Sequence, residues 1–250
     1  MGSNKGFFKE DEMVYRLDQK RIKELDHNLY HLMQELFGHL DDEEIITSYR
    51  IDGFRKPDFV IIYKGQTRYV SMKSGSSKIV HSEDIKTFIL FLRSLGISKR
   101  TQQTILLYQF GDKTMDGTGK VRMNYDELRL WLHDRIIEAN KELNQRHIIK
   151  AVIERCVIVG VKENAIPIDC LYHGDYEFGT VATTKQIMKH IEKGMWDFLQ
   201  NLHIGPLLMR PHARYVGKEV KDESKRHIIE ISWLNLQSDI DFMARRYSNY

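Results

Sequence analysis

The chain has 250 residues, of which 42% are hydrophobic and 29% are charged, and its formal net charge at pH 7 is +3. This composition is typical of a folded globular protein and excludes a disordered or collagen-like chain. The longest apolar runs, such as residues 87–92, are too short to span a bilayer. The first residues lack the apolar segment of a signal peptide, and two cysteines in unrelated contexts do not suggest a disulfide framework. We therefore expect a cytoplasmic protein that does not enter a membrane, and the small net charge permits a nucleic-acid partner without requiring one.

The first half of the chain predicts a helix followed by strands. Apolar residues at helical spacing indicate one long helix over residues 11–37, broken once at most, with Gly38 at its end. Three β-rich runs follow, at residues 45–51, 59–63 and 67–72. The sequence Lys64-Gly65-Gln66 is typical of a hairpin turn between the last two.

The next segments predict alternating helices and strands. Ser82 is the expected N-cap of a helix that ends at Leu95, and a strand is expected over residues 104–109. The remaining expected elements are a helix at 125–144 capped by Asn124, a strand at 156–161, a helix at 184–202 and a strand at 227–233. The order predicts an α/β fold with a mixed central sheet flanked by helices. We expect a core over residues 1–165 and a C-terminal extension, residues 166–250, packed on it.

A carboxylate and a lysine flank the expected hairpin. Asp58 follows Lys56-Pro57, and Lys73 ends the triplet Ser71-Met72-Lys73. A hairpin folds the start of one strand against the end of the next, so this spacing brings both side chains together. Residues 71 and 73 differ by two and share one face of their strand. A carboxylate that holds Mg²⁺ beside a lysine that orients or deprotonates a water suits phosphodiester hydrolysis.

The pair Pro57-Asp58 with Ser71-Met72-Lys73 resembles the PD-(D/E)xK nuclease superfamily, which includes many restriction endonucleases. The order helix, three strands, helix, strand is similar to the core of that fold, and the resemblance covers roughly residues 20–110. It implies a restriction-endonuclease-like core and Mg²⁺-dependent hydrolysis of phosphodiester bonds in DNA, expected to be double-stranded. It also implies a homodimer with one site per strand, and the backbone carbonyl of Met72 as a metal ligand.

Ser71 departs from the family pattern, which has an acidic residue two positions before the lysine. One group of type II restriction endonucleases has a similar SxK triplet, with the missing carboxylate supplied by a glutamate on the following helix. The resemblance therefore implies Glu83 as the relocated acid, with Asp84 as the alternative donor on the same expected helical turn. Glu83 and Asp84 are equally consistent with ordinary acidic side chains at a helix N-terminus.

Two further residues are candidates for the same site. Glu35 is one because the N-terminal helix of this fold often contributes an acidic residue, although an exposed helix charge is the simpler interpretation. His81 is placed to approach the scissile phosphate, but a lone histidine is more often a capping or core residue. A basic C-terminal stretch suits phosphate contacts, with a solvated hairpin as the alternative. Its candidates for nucleic-acid binding are Arg210, Arg214, Lys218, Lys225 and Arg226.

Other functions remain open at this point. The chain has no P-loop, no HExxH and no GxSxG motif. The first alternative to an endonuclease is a nuclease fold that has lost its metal site and only binds nucleic acid, which the serine at position 71 favours. The second is an interaction subunit of a larger complex, with the N-terminal helix as its contact surface.

Overall fold

The computed structural model describes residues 4–51, 53, 56–75, 77–119, 121–196, 200–211 and 223–247. Within these ranges nine α-helices are present: α1 (Asn4–Leu17), α2 (His27–Phe37), α3 (Ile85–Ser94), α4 (Lys99–Phe110), α5 (Tyr125–Trp131), α6 (His133–Leu143), α7 (Arg146–Ile153), α8 (Thr184–Lys193) and α9 (Leu236–Tyr247). The same ranges contain nine strands: β1 (Thr47–Arg50), β2 (Phe59–Tyr63), β3 (Gln66–Lys73), β4 (Ile79–Asp84), β5 (Cys170–Gly174), β6 (Gly179–Thr183), β7 (His203–Ile204), β8 (Leu207–Pro211) and β9 (Ile228–Trp233). None of the helices in the described part is both long and apolar enough to cross a membrane.

The chain forms two compact units, each assembled from separate stretches. Unit 1 consists of Met1–Ser77, Glu154–Lys193 and Asn235–Tyr250, and unit 2 of Lys78–Ile153 and Gly194–Leu234. The chain passes between the two units near residues 77, 153, 193 and 234. The expected boundary between residues 165 and 166 is not one of these points and stays a prediction.

Unit 1 contains a mixed five-stranded sheet in the order β1-β2-β3-β5-β6. Strands β1 to β3 are antiparallel neighbours, β3 and β5 are parallel, and β6 returns antiparallel to β5. Apolar side chains on one face, among them Phe59, Val70 and Tyr172, form a core with residues of α1 and α2 such as Met13 and Leu32. The expected α/β class with a mixed sheet is therefore confirmed.

The hairpin between β2 and β3 fixes the register on which the candidate site depends. Lys64 and Gly65 both have positive φ angles, 47° and 73°, as in the tight turns that match the twist of paired strands. Phe59 consequently pairs with Val70. The predicted turn and both predicted strands are present within one or two residues of their expected bounds.

Unit 2 contains a four-stranded sheet in the order β4-β9-β8-β7, and all of its neighbouring strands are antiparallel. Helix α4 contacts both α6 and β8. The apolar residues Phe110, Leu207 and Trp233 are each at most 1% exposed. The predicted strand at 227–233 is present as β9.

One predicted helix in the middle of the chain is present with a shifted start, and one predicted strand is wrong in type. The helix expected from an N-cap at Ser82 is α3, which begins at Ile85 and is capped by Asp84, whose side chain accepts hydrogen bonds from the N–H groups of Lys86 and Thr87. Residues 83 and 84, expected in the first turn of that helix, belong to strand β4. Residues 104–109 lie in α4 and not in a strand. A short buried apolar run has the same sequence signature in either structure, so only the tertiary context decides between them.

Other expected elements differ in type or length. Residues 154–159 continue α7 as a π-helical stretch where a strand was expected. The expected helix over residues 125–144 divides at Leu132 into α5 and α6, and the one at 184–202 ends at Lys193. The long N-terminal helix is two helices, and Gly38 ends the second with a φ of 77°.

Candidate active site

Asp58 lies directly before β2 and is held by β3. Its backbone N–H donates to the carbonyl of Val70 at 2.8 Å. Its carboxylate oxygen Oδ2 accepts hydrogen bonds from the Ser71 hydroxyl at 3.0 Å and from the backbone N–H of Met72 at 2.5 Å. The hairpin therefore holds this partly buried carboxylate in one orientation.

The Met72 carbonyl lies on the side of β3 that faces Asp58. In an extended strand the N–H and C=O groups of one residue are directed to the same side. Because the N–H of Met72 donates to Asp58, its carbonyl oxygen lies on the same edge of β3 as that contact. This geometry is compatible with a shared ligand for the two oxygens.

Lys73 ends β3 and shares a strand face with Ser71. Its positive charge lowers the pKa of Asp58 and also that of Glu10 on α1. The ammonium group therefore lies close enough to both carboxylates for its field to act on them. This places one lysine and two acidic side chains together at the end of the hairpin.

Glu10 is a member of this group that the sequence did not reveal. Burial raises the pKa of its carboxyl group, the negative charge of Asp58 raises it further, and Arg50 and Lys73 oppose the rise. A signal was present, because Glu10 precedes the buried residues Met13 and Leu17 by three and seven positions. That spacing puts an acidic residue in line with the apolar face of the helix.

Lys56 is a second lysine at the site. Its Nζ donates a hydrogen bond to the backbone carbonyl of Cys156 in the π-helical stretch, at 2.6 Å. Burial, followed by repulsion from Lys73, lowers the pKa of Lys56 to about 8. This contact connects the segment that leads into Asp58 with the stretch that precedes β5.

The electrostatic state of Asp58 differs from that of an ordinary ion-paired aspartate. Burial raises the pKa of its carboxyl group more than the combined opposing influences lower it. Lys73, the Met72 N–H, the Ser71 hydroxyl and Lys56 all act in the opposite direction, in that order. The cost of burying this carboxylate is therefore larger than the stabilisation that its own donors provide.

The residues at this site fit a Mg²⁺ ion. Mg²⁺ prefers oxygen ligands and is commonly held by one or two carboxylates together with waters and substrate phosphate. Among the described residues, the hydrogen bonds to the Asp58 carboxylate end on Oδ2, so Oδ1 remains available as an oxygen donor. The Met72 carbonyl and the Glu10 carboxylate are further oxygen donors at the same end of β3, and a bound cation would offset the repulsion between Glu10 and Asp58.

Glu83 and His81 lie in unit 2, on a strand and not on a helix. The Glu83 side chain is 5% exposed, and its Oε1 is 3.0 Å from Nε2 of His81. Asp84 is occupied as the N-cap of α3. The relocated-acid role of Glu83 stays a prediction, but its expected position in a first helical turn is corrected.

Glu35 has a contact that explains it without catalysis. It lies on α2, and its Oε2 accepts a hydrogen bond from Nε2 of Gln186 on α8 at 3.1 Å. Gln186 is 4% exposed. On the preceding helix, α1, the pKa of Glu10 responds to the charges of Asp58 and Lys73.

The basic C-terminal residues have different environments. Arg226 donates from Nη2 to Asp112 Oδ2 at 2.7 Å and to the carbonyl of Gly119 at 2.9 Å, which explains it as a structural residue of unit 2. Arg210 and Lys225 are exposed. Arg214 and Lys218 lie outside the described residues.

Comparisons with known proteins add no family assignment. No protein-family model matches the chain, and a search of curated proteins gives no match.

Proposed function

We propose that the chain is a Mg²⁺-dependent endonuclease that hydrolyses phosphodiester bonds in double-stranded DNA, of the restriction or related defence type. The observation that carries the proposal is the grouping of Asp58, Glu10 and Lys73 around the end of the β2–β3 hairpin. The resemblance of Pro57-Asp58 and Ser71-Met72-Lys73 to PD-(D/E)xK nucleases supplies the substrate class. The parallel pairing of β3 with β5 after three antiparallel strands supports the same assignment.

Each residue has a defined role in this proposal. Asp58, the Met72 carbonyl and Glu10 would hold the ion, and a Mg²⁺ bound there would supply polarisation of the phosphate and a water of lowered pKa. Lys73 orients the attacking water and takes up or passes on its proton. Ser71 fixes the Asp58 carboxylate through its hydroxyl and does not replace the missing acid, for which Glu83 is the candidate.

A second function remains a candidate because of one observation. Ser71 is neutral and donates to Asp58, so it contributes no charge to metal binding. A nuclease fold with a weakened metal site that only binds DNA has this feature. The two functions differ in one property, which is cleavage that depends on a divalent metal.

The decisive experiment measures cleavage of supercoiled plasmid DNA with Mg²⁺, and with Ca²⁺ or EDTA as controls. Asp58→Ala and Lys73→Ala should each lower the cleavage rate by about a thousandfold or more, since loss of metal-based charge stabilisation costs several kcal/mol. Thermal unfolding of both variants should stay cooperative, which separates a lost site from a lost fold. Near wild-type cleavage by Asp58→Ala would disprove the proposed centre. The expected homodimer is checked by sedimentation with and without DNA.

A further inference from the structure

Helix α8 carries a regular stripe of basic side chains. Lys185, Lys189 and Lys193 are all exposed and follow one another at intervals of four residues, about 6 Å along the helix axis. Residues at this spacing lie on one face of a helix, where like charges repel each other. The stripe therefore costs the helix a small amount of stability.

Two arginines of α9 extend the same surface. Lys189 and Lys193 both lie over the ring of Tyr247, at 4.7 and 5.9 Å from its centroid. Arg245 and Arg246 directly precede that tyrosine and are exposed. The five residues together are called the α8–α9 basic surface: Lys185, Lys189, Lys193, Arg245 and Arg246. Glu192, at the edge of the stripe, is the acidic residue of α8.

Some basic residues on other helices, unlike these cations, have an acidic partner. Arg100 pairs with Glu138 at 2.7 Å, and Arg129 pairs with Asp126. Within the described ranges, no ion pair with an acidic side chain involves any member of the α8–α9 basic surface. Its charge is therefore available to a partner that is itself negative.

The strand register relates this surface to the candidate site. His173 of β5 pairs with Lys73 of β3, so their side chains emerge on the same face of the sheet. Strand β6 is the next strand after β5 in the same sheet, and helices α8 and α9 both contact β6. Tyr247 lies ten residues, or about 15 Å along the helix, from Gln237 near the start of α9. That distance corresponds to roughly four base pairs of duplex DNA.

We propose that the α8–α9 basic surface binds the phosphate backbone of duplex DNA beside the cleavage site. Five cations with no ion pair to an acidic side chain in the described part of the chain complement a polyanion, and the helices that carry them contact β6, two strands from β3 in the same sheet. The choice of DNA as partner rests on the proposed function. The contacts would position the duplex without reading its sequence, because they reach phosphates only.

The test measures binding of a mixed-sequence duplex in Ca²⁺ as a function of salt concentration. The triple variant Lys185→Gln, Lys189→Gln, Lys193→Gln should bind more weakly and lower the slope of log affinity against log salt by about 2.7, or 0.9 for each lost phosphate contact. A matched control removes three exposed helical lysines of unit 2 that have no ion pair in the described structure: Lys99→Gln, Lys141→Gln and Lys150→Gln. The control should keep the wild-type slope, and neither triple variant should unfold at a lower temperature.

The outcomes separate this inference from the proposed function. An unchanged slope in the α8 variant, an equal loss in the control, or no binding of DNA by the wild type overturns the inference. If the wild type cleaves DNA and the α8 variant binds normally, the enzyme assignment stands and the surface is wrong. If the α8 variant loses affinity but the wild type never cleaves with Mg²⁺, the surface stands and the enzyme assignment fails.

Discussion

Asp58 in unit 1 and Asp112 in unit 2 are both withdrawn from solvent, but their hydrogen bonding differs. Both oxygens of Asp112 are occupied: Oδ1 accepts from the N–H and hydroxyl of Thr114, and Oδ2 accepts from the N–H of Gly119 and from Arg226. The bonds to Asp58 in the described structure use Oδ2 alone, and burial raises its pKa. The acceptors of Asp112 are saturated by its structural partners, whereas Asp58 keeps one oxygen that no described residue uses.

This comparison implies that the two units respond differently to substitution. Loss of a carboxylate whose oxygens are all hydrogen-bonded, or loss of its partner, should destabilise the fold without a specific effect on cleavage. Loss of a carboxylate with an unused oxygen should abolish cleavage and leave the fold intact. Substitutions at Glu83, Arg226 and Glu10 test which of these two kinds of residue each one is.

Glu83 should give the largest effect, because it decides between the enzyme and the inactive homologue. If it is the relocated acid, Glu83→Ala lowers the Mg²⁺-dependent cleavage rate by about a thousandfold, or ~4 kcal/mol. Asp84→Ala should be milder for cleavage, since Asp84 caps α3, and its loss costs about 1 kcal/mol of stability.

A double change provides the control for Glu83. Ser71→Glu combined with Glu83→Ala restores the commoner arrangement of acids and should recover part of the lost activity. Normal cleavage by Glu83→Ala would instead class Glu83 with Asp112, as a carboxylate already satisfied by its neighbour His81. Glu10 would then be the second carboxylate of an active site.

Arg226 should give the next largest effect, on stability alone. Arg226→Met removes the partner of a carboxylate with a fully buried side chain, and it should lower the free energy of unfolding by about 3 kcal/mol in urea denaturation. The adjacent Lys225→Met, which changes an exposed cation, is the control and should be nearly neutral. A larger loss of DNA affinity than of stability in Arg226→Met would return this residue to the nucleic-acid interface.

Glu10 and Glu35 form a matched pair on the two N-terminal helices. Glu10→Gln should lower the cleavage rate by about tenfold to a hundredfold, ~1.4–2.7 kcal/mol, since it removes one of two carboxylates near the ion. Glu35→Gln keeps a hydrogen-bonding partner for Gln186 and should cleave at the wild-type rate. The Mg²⁺ concentration needed for half-maximal cleavage should rise in the first variant only. Equal rates for both would remove Glu10 from the site.

Local sequence patterns predicted the β2–β3 hairpin better than the elements that pair over long distances in the chain. Strand β2 and its hairpin follow from an apolar run, a turn sequence and a second β-rich run, all within 15 residues. Strand β4 pairs with β9, which is about 150 residues away, so the local capping signal at Ser82 placed the start of α3 two residues too early. Helix α4 is buried along most of its length, which removes the periodicity that distinguishes a helix from a strand.

The sequence predicted only those residues of the candidate site that lie on or next to the β2–β3 hairpin. Asp58, Ser71 and Lys73 are brought together by a turn that the sequence shows directly. Glu10 joins them through packing of α1, and Lys56 through a contact with Cys156 a hundred residues away. Such long-range contacts leave no local pattern, and for Glu10 the only trace is its alignment with Met13 and Leu17.

Lys56 should give the smallest effect, and it is a dependence of stability on pH. Its pKa is about 8 in the folded protein against an ordinary value of 10.5, so between these values the unfolded chain binds more protons than the folded one. The free energy of unfolding should therefore rise with pH across that window, by at most about 1.4 kcal/mol for each pH unit. Above pH 10.5 Lys56 is neutral in the folded and in the unfolded chain, and the stabilisation from its lowered pKa is complete. This stabilisation is lost as pH falls through about 8, because the buried amine must then take up a proton. Lys56→Met lacks this titration, so the difference in unfolding free energy between wild type and variant should increase from pH 8 to pH 10.5, with all other titrating groups cancelling. A difference that stays flat across the window would mean that Lys56 is solvated, and that its contact with Cys156 does not bury its charge.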